Sequence, residues 1–421
     1  MTEDFLHYLW RFRQLKPDPW YSKDGSCIEV LHPGYLNSNS GPDFEQARIK
    51  INGQLWVGSV EIHIRSSDWN RHQHHLDPGY NNVILHVVQE EDQLIYTEKG
   101  WAPTCLSLKG LYDSQLYWRF EQRLQGAKTL ACADSFPRVN DIKKYQMLER
   151  ACIVRMQQRS ETLSLALEEL GGNWDALLYR SLAKAMGSPV NSPAMESLSR
   201  VLKLELWRRY QDKDLQRDAL FLGMAGLLTN IGSEEIPWVS EFHFLKHKHR
   251  LKELELSIWK YSRMRPANFP DRRIAQLSLL LPQALQWFSS IREGRELNLQ
   301  ALYWPKLPEF WRNHYRLKTP GRSNIGLQWS EVLKQSLLIN AFIPLQFFYG
   351  KKTGRYELQD AALDSLMKIP AESNRLTRNF EQLGLKLRSA FDSQACIAWY
   401  KNYCQPKKCL TCTLGNELLN Q

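Results

Sequence analysis

Two acidic residues and one histidine near the N-terminus are spaced as a metal-dependent hydrolytic site would require. Asp43 follows a loop rich in Gly, Pro, Asn and Ser (residues 33–42), and Glu61 and His63 lie two positions apart in an apolar segment. Two carboxylates can bind a hard divalent cation such as Mg²⁺ or Mn²⁺, which activates water and neutralises charge on a scissile phosphate. The three residues therefore predict a phosphodiester-hydrolysing site in which Asp43 and Glu61 are metal ligands.

The flanking sequence predicts the strands that would bring these residues together. Residues 47–51 alternate apolar and polar side chains, Asn52-Gly53 is a strong signal for a two-residue hairpin turn, and residues 55–64 form the return strand. Residues two apart on a strand share a face, so Glu61 and His63 should lie together, opposite the apolar side chains of that strand. Outside the hairpin, the sequence predicts a helix that begins after Thr2 and strands at 27–31, 83–88 and 94–96.

The order of these elements resembles the PD-(D/E)xK nuclease superfamily: helix, strand, Asp, hairpin, E-x-K, helix, strand. Pro42-Asp43 matches the PD, and Glu61-Ile62-His63 matches the E-x-K. The resemblance covers roughly the first 100 residues and implies a restriction-endonuclease-like α/β fold with a backbone carbonyl of Ile62 at the metal. It implies that His63 takes the lysine's role of orienting or deprotonating the attacking water, with Glu3 as an accessory acid.

Histidine in place of lysine leaves two interpretations open, because imidazole is neutral or weakly charged where lysine is a point cation. The first is a catalytic nuclease. The second is a non-catalytic nucleic-acid-binding or scaffold protein on a degenerate nuclease fold. The wider string GPDF…WVGSVEIHIRSSDW…HQHHLDPGYNNVILHVV also looks like an uncharacterised bacterial family described only as a domain of unknown function, along nearly the whole chain.

A polar, histidine-rich segment follows the Glu61 strand directly. Arg65, Asp68 and His72 are expected to line the site as accessory residues, where they could contact phosphate or polarise water. A separate zinc site is the alternative, because imidazole and carboxylate are common zinc ligands. Its ligands would be His72, His74, His75 and Asp77. His86 lies within an apolar strand and is expected to be a satisfied core histidine.

Four cysteines are bunched near the C-terminus with the spacing Cys396-x7-Cys404-x4-Cys409-x2-Cys412. Four thiolates can close a tetrahedral zinc site or hold an iron–sulfur cluster. The bunch predicts one of these metals, most simply in a structural role. The alternative is a buried pair with two incidental cysteines.

The formal net charge of the chain is +10, which suits a polyanion because Lys and Arg contacts release counterions from phosphate. Nucleic acid is therefore the expected partner. Four arginines near Pro-containing loops are candidates for phosphate contacts, with helix capping and surface solvation as the alternative. They are Arg265, Arg272, Arg273 and Arg322.

The longest apolar stretch, residues 336–349, is interrupted by Asn340, Pro344 and Gln346 and is shorter than the about 20 residues that span a bilayer. The N-terminus lacks the basic start and cleavage site of a signal peptide. These features predict a cytoplasmic protein without membrane segments.

Composition changes near residue 110, where Leu, Arg, Glu, Gln and Ala begin to recur at helical spacing. The sequence therefore predicts an α+β protein in three parts. They are a PD-(D/E)xK nuclease-like α/β domain at 1–110, an α-helical domain at 111–390, and a cysteine-bearing metal-binding tail at 391–421.

Overall fold

The chain folds into two compact units, both built from segments that are discontinuous in sequence. The first comprises Met1–Leu148, Gln382–Leu385 and Trp399–Gln421, and the second comprises Glu149–Glu381 and Lys386–Ala398. This division differs from the predicted three parts, because the C-terminal segment belongs to the first unit and is not a separate tail. The structure is a computed structural model that describes residues 1–37, 41–125, 130–229, 231–232, 236–293, 302–321 and 324–419.

A mixed sheet of seven strands forms the centre of the first unit. The order is β1-β2-β4-β5-β6-β7, and β3 pairs with β4 at the side. All pairs among β1 to β5 are antiparallel, whereas β6 pairs in parallel with both β5 and β7. The strands are β1 (Trp20–Tyr21), β2 (Cys27–His32), β3 (Tyr35–Leu36), β4 (Phe44–Ile51), β5 (Gln54–Arg65), β6 (Val83–Glu90) and β7 (Thr104–Ser107).

The hairpin of β4 and β5 forms as the sequence predicts. Asn52 and Gly53 connect the strands with φ angles of 51° and 81°, the left-handed pair that a tight hairpin turn requires. Val60 and Ile62 of β5 are buried in the apolar core of the unit. Glu61 therefore lies on the opposite face of β5, as alternation predicts.

Residues 94–96 do not form the predicted strand. Ile95 is instead buried in a small cluster with Trp69, Tyr80 and Val83, and the Trp69 Nε1–H donates to the backbone oxygen of Tyr96 at 3.0 Å. Side-chain packing thus fixes this segment without sheet pairing. The strand that pairs with β6 is β7, which follows Pro103 and which sequence patterning missed, as it missed the two-residue strands β1 and β3.

Helix α1 (Glu3–Arg11) covers one face of the sheet, because its apolar side chains recur at helical spacing. Phe5, Leu6 and Leu9 share a buried core with β4 and β5. Leu410 and Leu419 of the C-terminal segment belong to the same core. The first unit is therefore completed by residues from both ends of the chain.

The rest of the described structure is mostly helical, as the sequence predicts, apart from a short hairpin of β8 (His314–Arg316) and β9 (Thr319–Pro320). None of the described helices combines the length and the apolar character that crossing a bilayer demands. These helices are α2 (Asp68–Arg71), α3 (Ser114–Gln125), α4 (Asp141–Glu169), α5 (Trp174–Met186), α6 (Ser188–Val201), α7 (Leu204–Arg208), α8 (Asp214–Met224), α9 (Pro237–His249), α10 (Pro270–Arg292), α11 (Glu331–Leu337), α12 (Ile343–Thr353), α13 (Tyr356–Lys368), α14 (Arg375–Gln382), α15 (Ala390–Trp399) and α16 (Thr413–Leu419).

Gly58 lies where the chain returns to begin β6 beside β5, and this close approach generates a prediction. A methyl group on Gly58 would lie 2.7 Å from the backbone oxygen of Asn82 and 2.5 Å from Ile84 Cγ2. Gly58→Ala should therefore lower the free energy of unfolding by about 1–3 kcal/mol, as overpacking does. Urea denaturation measures this change, and Val57→Thr on the exposed neighbouring position is the matched control. Equal stability of the two variants would contradict the prediction.

Candidate functional site

Asp43 and Glu61 hold each other through backbone-to-carboxylate hydrogen bonds. The Asp43 N–H donates to Glu61 Oε2 at 3.0 Å, and the Ile62 N–H donates to Asp43 Oδ2 at 2.9 Å. The pairing of β4 with β5 shifts register just after Phe44, and Gln46 in this irregularity has a φ of 56°. Phe44 is the first residue of β4 and pairs with Val60, so Asp43 lies just outside the ladder and its carboxylate reaches the backbone of β5.

Three imidazoles form a row beside this carboxylate pair. His63 Nδ1 lies 2.9 Å from His86 Nε2, and His63 Nε2 lies 3.1 Å from His72 Nδ1. A fourth imidazole meets the carboxylate, since His74 Nε2 lies 3.3 Å from Glu61 Oε1. His63 Nε2 lies 3.6 Å from the same oxygen. The structure thus brings Glu61 and four histidines to one face of β5 and β6.

Sheet register and a short crossover position these histidines. His86 is the parallel partner of Glu61, so both residues stand at the same level of the sheet. After β5, the Ser67 N–H and hydroxyl donate to Asp92 at 2.9 and 2.7 Å, which fastens the start of α2. Gln73 then adopts a φ of 63°, a left-handed conformation that ends α2. His72 and His74 therefore flank a sharp reversal that directs both rings towards His63.

Aromatic side chains enclose the inner part of the cluster. Tyr80 stacks on the His74 ring with a centroid separation of 3.8 Å. Trp69 is fully buried and meets His74 and His86 edge to face, at 5.5 and 5.3 Å. His72 is the exposed member of the group, so the cluster opens to solvent on that side.

Burial sets the protonation states in this cluster. Desolvation, reinforced by neighbouring imidazoles, lowers the pKa of His63 to about 2, and desolvation lowers the pKa of His86 to about 3. Burial raises the pKa of the Glu61 carboxyl, the contact with His74 lowers it, and the charge of Asp43 raises it further. His63 and His86 are therefore neutral at physiological pH.

His7 of α1 also belongs to the site, although sequence reasoning did not identify it. Its Nε2 lies 3.1 Å from Asp43 Oδ2. Burial alone would lower the pKa of His7, but the hydrogen bond and charge of Asp43 raise it above its usual value. Glu3, the predicted accessory, lies one helical turn earlier, within electrostatic range of His7 and His72, and burial raises its pKa. The sequence signal that could have found His7 is its place on the α1 face that also carries Glu3.

Of the other predicted accessory residues, His72 belongs to the imidazole cluster, whereas Arg65 and Asp68 have partners outside it. The Arg65 side chain is exposed and lies 3.8 Å from Glu90. Asp68 is buried and accepts from the Arg65 N–H at 3.0 Å, which stabilises the start of α2. Of the alternative zinc set, Asp77 caps a turn by accepting from the Gly79 N–H. His75 lies outside the group of converging imidazoles.

Two histidines have roles other than those the sequence predicts. His63 is only 2% exposed and has a pKa of about 2, so it is poorly suited to deprotonate the attacking water. It sits at the centre of the imidazole row instead. His86 is fully buried, as expected, but it is not a fully satisfied core histidine. Its Nε2 meets His63, and among the described residues no hydrogen-bond partner reaches its Nδ1.

The predicted arginine contacts to phosphate require a correction. Arg272 is buried and donates to the backbone oxygens of Trp311 and Gly326, both at 2.6 Å. Arg273 is also buried and donates to side-chain oxygens of Gln276 and Asn268. Both guanidinium groups stabilise the fold and cannot reach a phosphate without unpacking. Arg265 is exposed and stays a prediction, whereas Arg322 lies outside the described residues.

The C-terminal cysteines keep their predicted metal role as a prediction. Cys396 is buried in α15, and burial raises the pKa of its thiol. Cys404, Cys409 and Cys412 belong to the first unit. Within the described ranges, the one group of three or more potential ligands whose atoms lie within 4.8 Å of one another is His63, His72 and His74. Metal analysis of the purified protein, with its visible spectrum, distinguishes zinc from an iron–sulfur cluster at these cysteines.

Comparison with known proteins identifies one family. The sequence model of a family described as "Protein of unknown function (DUF2851)" matches residues 3–375. No curated protein and no solved structure matches the chain.

The buried imidazoles generate a prediction about pH. A lowered pKa keeps the neutral form as the pH falls, so His63 and His86 of the metal-free protein should remain neutral at about pH 5.5, one unit below the ordinary histidine value. Imidazole nitrogen shifts in isotope-labelled protein measure this state, and His86→Asn assigns its signal. Protonation of His63 or His86 at that pH would contradict the prediction.

Proposed function

The chain belongs to the DUF2851 family, and we propose that it is a metal-dependent phosphodiesterase that cleaves nucleic acid at the Asp43 and Glu61 carboxylates. The observation that carries this proposal is the reciprocal hydrogen bonding of these two residues, which fixes two carboxylates side by side. Each carboxylate uses one oxygen for a backbone N–H. The other oxygen of Asp43 can face a cation, whereas the other oxygen of Glu61, Oε1, already lies 3.3 Å from His74 Nε2.

Carboxylate oxygens in pairs are the ligands that Mg²⁺ and Mn²⁺ prefer, so the residues present fit such an ion. A divalent ion bound there supplies an activated water and neutralises charge on the scissile phosphate. Asp43 and Glu61 contribute negative charge at fixed positions, because their backbone contacts hold them before any ligand arrives. This preorganisation avoids reorganisation during the reaction.

His7 is the residue best placed to move a proton. Its contact with Asp43 Oδ2 orients the ring. Against the effect of burial, the hydrogen bond and charge of Asp43 raise the pKa of His7, whereas burial lowers the pKa of His63 to about 2. Histidine is the side chain that most often transfers protons in catalysis. We therefore assign acid–base chemistry to His7, in place of the lysine that the resembled nucleases use.

The topology of the first unit supports a PD-(D/E)xK-like fold as part of this proposal. Helix α1 precedes the antiparallel strands β2, β4 and β5, and β6 then runs parallel to β5. This order is the one that the resemblance implies. The chain departs from the pattern of the resembled nucleases in two ways. The crossover helix α2 has only four residues, and histidine occupies the lysine position.

A basic surface at the end of α9 supports a polyanionic substrate. Residues 243–252 carry four Lys or Arg residues and no acid. Lys248 lies over the rings of Tyr210 and Phe244, at 5.9 and 5.6 Å from their centroids, and Phe244 is exposed. Positive charge beside an exposed aromatic ring suits single-stranded nucleic acid, whose bases stack and whose phosphates attract cations. An open cavity of about 710 Å³ is lined here by His243, Lys246, His247, Lys248, Arg250 and Leu251.

Substitution of the carboxylates tests the catalytic proposal. Asp43→Asn and Glu61→Gln should each abolish Mg²⁺- or Mn²⁺-dependent cleavage of DNA or RNA, because an amide is a poor ligand for these ions. Each amide oxygen still accepts the backbone N–H, so the fold is retained. His7→Gln should reduce the rate by about 10²–10⁴-fold, as loss of a proton-transfer group does. A fluorescent oligonucleotide cleavage assay measures all three.

Glu45→Gln is the matched control for this experiment, because Glu45 is an exposed carboxylate two residues from Asp43. It should cleave at the wild-type rate. Cleavage that survives both carboxylate substitutions would refute the proposal. Salt-sensitive binding without metal-dependent cleavage by the wild type would favour the non-catalytic nucleic-acid-binding alternative.

Substitution of the basic surface tests the substrate class. Lys248→Gln with Arg250→Gln should weaken single-strand binding and reduce the slope of log affinity against log salt by about 0.7 for each phosphate that the protein no longer neutralises. Fluorescence anisotropy across a salt series measures both quantities. Lys351→Gln with Lys352→Gln removes two exposed charges at the end of α12 and is the control. Equally weakened binding in the two double variants would show that only net charge matters.

A further inference from the structure

The imidazole cluster beside the carboxylate pair has a chemistry of its own. We propose that His63, His72 and His74, together with Glu61, bind a borderline transition-metal ion of the Zn²⁺ class. This site shares Glu61 with the proposed Mg²⁺ position, but its other ligands are imidazoles. It differs from the zinc set that the sequence suggests by including His63 and leaving out His75 and Asp77. Binding of the ion does not depend on whether the protein hydrolyses phosphodiesters.

Interatomic distances carry this inference. The ligand atoms of the three histidines lie within 4.8 Å of one another, and His63 Nε2 is 3.1 Å from His72 Nδ1. Glu61 Oε1 lies 3.3 Å from His74 Nε2 and 3.6 Å from His63 Nε2. Tetrahedral zinc with bonds of about 2.0–2.1 Å places its ligand atoms roughly 3.3 Å apart. The three separations between potential ligand atoms bracket this value.

Proton accounting agrees with a ligand role for His63. A neutral imidazole has one N–H, and His63 can place it on Nδ1 to donate to His86 Nε2 at 2.9 Å. Its Nε2 lone pair then faces His72 and Glu61. Metal-binding histidines commonly donate their other ring N–H to an outer partner, which fixes the tautomer and the ring orientation. His86 is that partner here.

The type of metal follows from the donor set and its surroundings. Three imidazoles and one carboxylate suit Zn²⁺, Co²⁺ or Fe²⁺, whereas Mg²⁺ requires oxygen ligands and retains water. Only neutral imidazole can bind a metal, and the N–H that His63 can direct at His86 leaves its Nε2 lone pair for the ion. Tyr80 and Trp69 hold the His74 ring in place, so the ligands are positioned before the ion binds.

Cobalt binding to the untagged, full chain tests this site. Co²⁺ should give visible d–d absorption that saturates at one equivalent, is displaced by Zn²⁺ and is unaffected by Mg²⁺. The d–d bands of this site carry no sulfur-to-cobalt charge transfer, which identifies any separate Co²⁺ binding at the C-terminal cysteines. His72→Asn and His74→Asn should each weaken Co²⁺ affinity by at least about 100-fold, the upper end of the cost of losing an outer-shell partner.

Two controls separate this site from general effects. His75→Asn removes an adjacent imidazole outside the group and should bind Co²⁺ as the wild type does. Asp43→Asn should also retain Co²⁺ binding while it loses any Mg²⁺-dependent cleavage, so failure of the proposed function and failure of this site are distinguishable. Absence of Co²⁺ and Zn²⁺ binding, full binding in the His72 and His74 variants, or equally weakened binding in His75→Asn would overturn the inference. Circular dichroism verifies that each variant is folded.

Discussion

The exchange of hydrogen bonds between Asp43 and Glu61 is the constraint on which the site depends. A carboxylate that leaves water must be compensated, and here the neighbouring strand supplies a backbone N–H to each one. The exchange lies just beyond the ladder of β4 and β5, because Phe44 is the first residue of β4 and pairs with Val60. Side-chain carboxylates thus take the place of backbone carbonyls as acceptors at this end of the hairpin. His7 extends the arrangement from α1.

The buried imidazole row lowers the stability of the fold. Burying His63 and His86 as neutral groups means that each needs partners for two ring nitrogens, and each imidazole partly satisfies the other. His86 Nδ1 remains without a partner among the described residues. An orphaned buried nitrogen reduces stability, and so does the left-handed Gln73 that turns the crossover. Such costs are typical of positions that function maintains against stability.

The sequence predicted the sheet near the site well, because a tight turn and the alternation of side chains along a strand depend only on neighbouring residues. The Asn52-Gly53 turn and the alternation in β5 fixed which face carries Glu61 and His63. Contacts between distant segments were missed, including those of His7 and His86, since no spacing rule joins a helix or a parallel strand to that face. Arg272 was misassigned for the same reason: its partners, Trp311 and Gly326, come from distant loops that only tertiary folding brings near.

Leu410 and Leu419 complete the apolar core around α1 and the sheet, and Tyr8 donates to Asn416 at 3.2 Å. These residues are synthesised after almost all of the helical unit. During translation, part of the apolar face of the N-terminal sheet therefore stays exposed until these residues are synthesised, whereas the helical unit can fold earlier. Such a nascent intermediate favours chaperone binding or aggregation. A chain truncated after residue 375 would contain the whole family match and still lack Leu410 and Leu419, which cover this apolar face.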